Sequence, residues 1–543
     1  MFHNFFSQNG IYNKYFSIDA LKETVKRANN ELLLSLLVGA CFIICAVLIL
    51  ANGHLHEDAY ILFQYSKKVA NGEGIVFDDT AGHTEGATDF LWMMSLALLH
   101  RLHIDIGNAA AILNGIGLST LAYVILRIRG KIDPVSILAL TLVIFSGGTA
   151  AALGGFSTLA YGGLFSLFAL SIIQKHYRAI SLLATIIPLF RPDGVLLVMG
   201  GIAILLITAR KDEIKASLTT LILPLTLGSI YFYWRYNYFE SLLPLPLLVK
   251  ARTNWMLEGL WVNIRALNIY IITLAPLILF IIIKSLHNIS WRNILAVGLG
   301  PALLFLALSF AHQSQNVGFR FQFPIIISIV IIFTIFANHY PGTIKKIFLI
   351  LPILGVLAGS KIIYKDAIYL TNEDYINSFP QILKAGNFEV DNIAITEAGR
   401  FPYWYDSKAM TDLIGLNTAK VIHNGSYNVI VDTKPDLIFV HHASRFDTSS
   451  LDKSQDFVVT ASENISLRSE YLGKDPVSIA PESALKFAAS NHYNAVFVRY
   501  GKKDTNFSHV YFLSPTLDEE KFIRLLRMSI ATKLSYYDSI KKN

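Results

Sequence analysis

Apolar segments long enough to cross a bilayer recur through the first two thirds of this chain, and no other feature limits its possible folds so strongly. They lie near 32 to 52, 108 to 127, 134 to 150, 155 to 173, 179 to 190, 193 to 208, 216 to 234, 264 to 283, 294 to 310, 323 to 338 and 345 to 362. A spanning helix needs ~20 such residues, and a few of these fall short of that. Another stretch, FLWMMSLALLHRLHI at 90 to 104, is shorter and broken by His100 and Arg101. With 53% hydrophobic and 16% charged residues and a mean hydropathy of +0.47 over 543 residues, the composition lies outside the soluble range. The fold class that follows is a polytopic α-helical membrane protein whose main partner is the lipid bilayer.

The formal net charge of +7 does not indicate nucleic acid, because Lys and Arg sit in short loops between apolar runs and no basic stripe interleaves with aromatics. RIRGK (127 to 131), QKHYR (174 to 178), ARKDEIK (209 to 215) and GTIKK (342 to 346) orient the helices with these loops in the cytoplasm. The first loop, 53 to 89, then lies outside, so residues 90 to 127 must cross an odd number of times. Parity gives eleven crossings, with 90 to 104 dipping into the membrane without traversing it. Residues 1 to 31 carry Lys14, Lys22, Lys26 and Arg27 ahead of the first apolar run and read as a cytoplasmic segment without a cleavable signal. Cys41 and Cys45, four apart in that run, read as buried small hydrophobes.

The transmembrane domain is expected over 32 to 364. From about 365 to 543 the pattern turns to mixed polar sequence with β-rich runs, DNIAIT, YNVIVD, PDLIFVHH and NAVFVRY, and predicts a soluble α/β domain on the outer side.

The stretch HEDAYILFQYSKKVANGEG, 56 to 74, places Glu57 and Asp58 directly after the first apolar segment. Ile61, Leu62, Tyr65 and Val69 recur at helical spacing and Gly72 sits where a helix would stop, so Asp58 lies near the N-terminus of a short amphipathic helix. The helix dipole keeps carboxylates ionised there, as a general base or metal ligand requires; the plainer reading is a helix cap. Arg191, Arg235, Lys250 and Arg320 all fall at predicted outer helix ends, against the positive-inside trend, and so need anionic partners. A lipid phosphate would supply one; an internal ion pair with Asp193 or Glu240 is the structural alternative.

These residues resemble the GT-C glycosyltransferases that take sugar from a polyprenyl phosphate, and within them the branch of the cell-wall arabinofuranosyltransferases. EDAYILFQYSKKVANGEGIVF followed by TEGATDFLW matches the family's first outer loop at Asp58, Ala59, Tyr60, Tyr65, Gly72, Gly74, Glu85, Gly86, Thr88, Leu91 and Trp92. RPDGVLL (191 to 197), WRYNYFESLLPLPLLVKA (234 to 251), GFRFQFP (318 to 324) and TDLIGLN (411 to 417) resemble further family motifs, so the similarity spreads over most of residues 30 to 440. The chain departs from the pattern at Glu57, usually Asp; at Ser157, which replaces a Glu in GGFST; and at AHQSQNVGFRF, which lacks the usual acid.

The resemblance implies a GT-C fold of about eleven helices with an extracytoplasmic C-terminal α/β domain, in a bacterial inner membrane with the site facing the periplasm. It implies Asp58 as the base that deprotonates an acceptor hydroxyl, with Glu57 positioning it or sharing a divalent metal, to which His56 would also contribute. Arg191, Arg235, Lys250 and Arg320 would bind the donor phosphate, and Tyr60, Glu85, Asp193 and Tyr238 the donor or acceptor sugar. The implied reaction moves a pentose, arabinofuranose, from a polyprenyl-phosphate donor to an envelope glycan or a surface protein such as a pilin. A transporter or flippase for a lipid-linked or anionic substrate is the competing class, its charges lining a route at mid-membrane depth.

Overall fold

The structure is a computed structural model that describes residues 18–78, 82–246, 258–285, 290–311, 313, 315–338, 350–372, 374–405, 407–469, 476–499 and 506–540. Helix α1 (Ile18–Asn52) leads into α2 (Glu57–Ala70), which Asn71 and the left-handed Gly72 end where the sequence places the stop. There follow α3 (Phe90–Arg101), α4 (Ile106–Arg129), α5 (Pro134–Ile144), α6 (Gly147–Leu153), α7 (Thr158–Ile173), α8 (Tyr177–Phe190), α9 (Gly194–Ile207), α10 (Ile214–Thr219) and α11 (Ile222–Phe239). Helices Glu258–Ser285, Trp291–Ser309, Phe323–Asn338 and Ile350–Thr371 complete the described bundle.

Among the described residues five helical stretches are long and apolar enough to cross a membrane: Arg27–Asn52, Ile106–Arg129, Ile214–Phe239, Trp291–Ser309 and Val317–Ala337. The segment expected as one helix over 134 to 150 is instead two helices bent by 54°, and counting it as one span makes six. The break falls at Phe145 and Ser146, where the Ser146 hydroxyl accepts the Thr149 N–H and starts α6 afresh. Helices α7, α8 and α9 are apolar but only 16, 14 and 14 residues long. The 12 residues of α3 rise about 18 Å, well short of the ~30 Å hydrocarbon layer. Large apolar side chains cover the outside of the bundle, among them Leu33, Ile207, Ile222, Leu225 and Phe232. A water-soluble protein would bury such a surface. Cys41 and Cys45 lie on this exposed face of α1, so the expected burial inside protein does not hold.

The helix of Ile350–Thr371 carries the chain past the expected boundary near 365 into the α/β domain. Its six-stranded sheet has the order β2-β1-β3-β6-β5-β4, with β1 Asn392–Ile395, β2 Ala409–Asp412, β3 Leu437–Val440, β4 Phe457–Ala461, β5 Asn494–Arg499 and β6 Phe507–Leu513. β2, β1 and β3 are parallel, and β3, β6, β5 and β4 antiparallel. Alternation sorts the buried β3 side chains to two cores: Leu437 and Phe439 face one, Ile438 and Val440 the other. YNVIVD, read as a strand, lies in the helix Ser426–Thr433. Local β-branched propensity loses to topology there, because β2 and β3 run parallel and the chain needs a returning helix between them.

The core on the Leu437 side also contains Tyr65, Ile75 and Phe77 from α2 and the first outer loop. The loop thus shares one interior with the soluble domain, and this seam positions the site.

Candidate active site

The first acid is bound to the turn at Gly399 and Arg400, between β1 and β2. Glu57 accepts the backbone N–H of Gly399 at 2.5 Å and of Arg400 at 2.9 Å, and the Arg400 Nε–H at 2.8 Å, across 342 and 343 positions of sequence. Gly399 is required here, since an added Cβ would overlap the Glu57 backbone and carboxylate. Burial and the neighbouring Glu397 carboxylate push the Glu57 pKa up, against the Arg400 charge. A positional role for Glu57 therefore fits its contacts, and these leave it little capacity for a metal.

Asp58 points elsewhere. It is 28% exposed and faces Arg320, whose Nη2 lies 3.7 Å from its Oδ2. His56, not Asp58, occupies the cap position of α2, and no side chain caps that helix end. Arg320 lies over the Phe156 ring, 3.9 Å from guanidinium carbon to ring centroid. Its Nη1 is shut off from water and has no hydrogen-bond partner among the described residues. An unpaired buried guanidinium N–H is costly, and an anion would satisfy it.

Arg191 sits alongside, 4.6 Å above the Tyr161 ring, with its Nη2 donating to Asp193 at 2.7 Å. The Tyr161 hydroxyl donates to the other Asp193 oxygen at 3.2 Å. The internal Arg191–Asp193 pair weighed from sequence is thus present, within the same cluster as Asp58 and Arg320. Asp89 is a member that sequence reading missed. It starts α3, yet its carboxylate leaves that helix uncapped and accepts the Ser157 hydroxyl at 2.8 Å. Ser157 at the start of α7 and Asp193 at the start of α9 likewise leave their helix ends uncapped. Each forgone cap is worth about 1 kcal/mol. Two of these cap side chains thus bond to one another while the third is turned to Arg191 and Tyr161, and the dipoles of helix N-termini favour an anion.

The Gly154–Gly155 turn brings these pieces together. A Cβ on Gly154 would lie 2.0 Å from His56 Cδ2, so only glycine lets this turn cross the start of α2 and deliver Phe156 and Ser157. His56 stacks on Tyr369 at 4.8 Å, and burial pushes its pKa down to about 3. It is a neutral ring whose Nε2 lacks a hydrogen-bond partner among the described residues.

The other expected residues form separate networks. Arg235 pairs with Glu85 and donates through Nη1 to the carbonyls of Ser241 and Leu242. Tyr238 stacks on His83 at 3.9 Å and accepts the Ile75 N–H. Asp412 and Asn417 of TDLIGLN build a turn whose Asn417 Oδ1 accepts the Tyr65 hydroxyl, which also accepts the Gly86 N–H. These contacts hold the first outer loop on the domain. Among the described residues no hydrogen bond or ion pair joins Arg235, Glu85 or Tyr238 to Asp58. Glu240, the other pairing candidate, ends α11 in the left-handed region. Tyr60 packs on Tyr403 and lines a 420 Å³ cavity with Phe63, Trp404 and Asp105. Lys250 lies outside the described residues.

The expected divalent metal does not fit Glu57, Asp58 and His56. Among the described residues no three His, Cys, Asp or Glu side chains are grouped to hold an ion, and Glu57 is committed to Gly399 and Arg400.

No known family profile and no curated protein matches the chain. Among solved structures it resembles ArnT from Cupriavidus metallidurans bound to undecaprenyl phosphate, with a TM-score of 0.53 at 10% identity over 77% of this chain and 95% of that one. The apo structure of the same protein gives 0.52 at 9% identity, with the same coverage. The chain has the ArnT fold.

Proposed function

We propose, from the premise of that fold, that the protein is a glycosyltransferase using a polyprenyl-phosphate sugar donor, with Asp58 as base and Arg320 and Arg191 on the donor phosphate. The observation that carries this reading is Arg320: a guanidinium with one N–H shut off from water and unfilled among the described residues, 3.7 Å from a part-exposed carboxylate. ArnT, which shares the fold, has been captured with undecaprenyl phosphate.

In the reaction the bond from the sugar's anomeric carbon to the phosphate oxygen breaks, its electron pair leaving with the phosphate. The acceptor oxygen bonds to that carbon, and its proton passes to Asp58. Negative charge grows on the phosphate as the bond breaks, and the unfilled Arg320 N–H stabilises it most at that point. The favoured donor sugar is arabinofuranose and the acceptor an envelope glycan or a pilin-like surface protein, at the outer face of a bacterial inner membrane. Both choices rest on the motif resemblance.

The test is transfer of radiolabelled sugar from polyprenyl-phosphate arabinose in membranes expressing wild type or Asp58→Asn. Label in product with wild type, lost by ~10²-fold or more in Asp58→Asn, is expected. Equal transfer by both proteins would remove Asp58 from the chemistry. Transfer only from a hexose-linked donor would change the sugar and keep the enzyme. No transfer from any donor would favour the transporter.

A further inference from the structure

We propose that Asp89 is the counter-ion that holds Arg191 and Arg320 ready for the lipid phosphate and gives them up when it binds, making Asp89 a positioning residue that sets donor affinity. The inference rests on the donor-phosphate reading above.

Its basis is placement along the start of α7. Phe156 carries Arg320 on its ring, Ser157 binds Asp89 at 2.8 Å, and Tyr161, one turn on, carries Arg191. Asp89 therefore lies near both cations and is attracted by each, although among the described residues its direct side-chain bonds are to the Ser157 and Thr88 hydroxyls. It is an Asp at a helix start that does not cap its helix, bonded to a Ser at another helix start that does not cap either. Asp89 is part-exposed. Arg191 and Arg320 repel one another and both attract Asp89.

The charges explain why the carboxylate must yield. Without ligand, Asp58, Asp89 and Asp193 face Arg191 and Arg320, leaving one negative charge in excess. An incoming phosphate adds to that excess unless a carboxylate takes up a proton. Asp193 is tied to Arg191 and Tyr161, and Asp58 must stay ionised to act as base. Asp89 remains, and burial already pushes its pKa up against Arg191 and the Ser157 hydroxyl. The groups that act on it are the Thr88 hydroxyl beside it, Ser157 and Tyr161 of the α7 region, Arg191 and Asp193 between α8 and α9, and Arg320.

The experiment is equilibrium binding of undecaprenyl phosphate to the full-length protein in nanodiscs from pH 5.5 to 8.5, for wild type, Asp89→Asn and Ser157→Ala. Asn keeps an acceptor for the Ser157 hydroxyl and removes the charge. The phosphate's own second ionisation near pH ~6 is common to all three proteins and cancels in the affinity ratios. Expected is a wild-type affinity that falls relative to that of Asp89→Asn as pH rises, the variant binding roughly tenfold tighter at pH 8 with its advantage vanishing at low pH. Ser157→Ala, which removes a bond to the ionised carboxylate, should shift the wild-type fall to higher pH. If Asp89→Asn binds no tighter at any pH while wild type binds, Asp89 is only structural and the inference falls while the donor reading stands. If wild type does not bind undecaprenyl phosphate at all, both fall. Should Asp89→Asn fail to fold, an unshifted Ser157→Ala profile overturns the inference by itself.

Discussion

Asp58 and Arg320 lie 3.7 Å apart, the first part-exposed and the second with one N–H shut off from water and unfilled among the described residues. Arg320→Lys keeps the charge but loses the fork that presents Nη1, so kcat/KM for donor should fall on the order of 10²-fold. A loss within threefold, measured with labelled donor, would remove Arg320 from the phosphate site. Asp58, Arg191, Arg320 and Asp193 were legible in the sequence because their motifs put charge at helix ends beside a membrane, where charge is expensive. Asp89 was not legible, although it sits inside TEGATDFLW, because Asp ahead of an apolar helix reads as a cap. Only coordinates show that carboxylate turned to Ser157. Arg400 was equally hidden, since its bond to Glu57 spans 343 positions and leaves no local pattern.

At the level of elements, the start of α2 is set by the turn that crosses it. Gly154→Ala should destabilise the protein by roughly 1–3 kcal/mol, because the new methyl collides with a ring already stacked on Tyr369. Gly228→Ala, which meets nothing within 4 Å on α11, should leave stability unchanged or raise it by up to ~1 kcal/mol. Thermal unfolding of both variants in detergent tests the contrast, and equal Tm values would refute it. Helix α2 was readable to its end because amphipathic spacing and Gly72 agree. The sequence was less informative where two signals compete: PVSILALTLVIFSGGTA is apolar throughout, yet Ser146 restarts the helix, and YNVIVD favours a strand locally while the crossover demands a helix.

Across the whole molecule, the sheet-bearing C-terminal part is fastened to the bundle beside Asp58. Glu57, Arg400 and Glu397 form that fastening, and both carboxyls have raised pKa values, Glu57 to about 7 from an ordinary 4.5. A carboxyl with a raised pKa holds a proton in the folded protein that the unfolded chain has released. Its contribution is therefore full below about 4.5 and lost as pH climbs through about 7. Thermal stability should accordingly fall between pH 5 and 8, and Glu397→Gln should flatten that fall. A Tm that rises over this range, or a slope unchanged by Glu397→Gln, would contradict it. The composition change near 365 precedes the six-stranded sheet, but no local signal announced the interior that the loop after α2 shares with it.

The Gly399–Arg400 turn has a consequence for protein engineering. A chimera that joins this bundle to another protein's C-terminal domain must carry that turn along, or Glu57 is left with no counterpart one residue from Asp58. On the proposed role of Asp58, swapping domains at the end of the Ile350–Thr371 helix would exchange the partner of the residue beside the base.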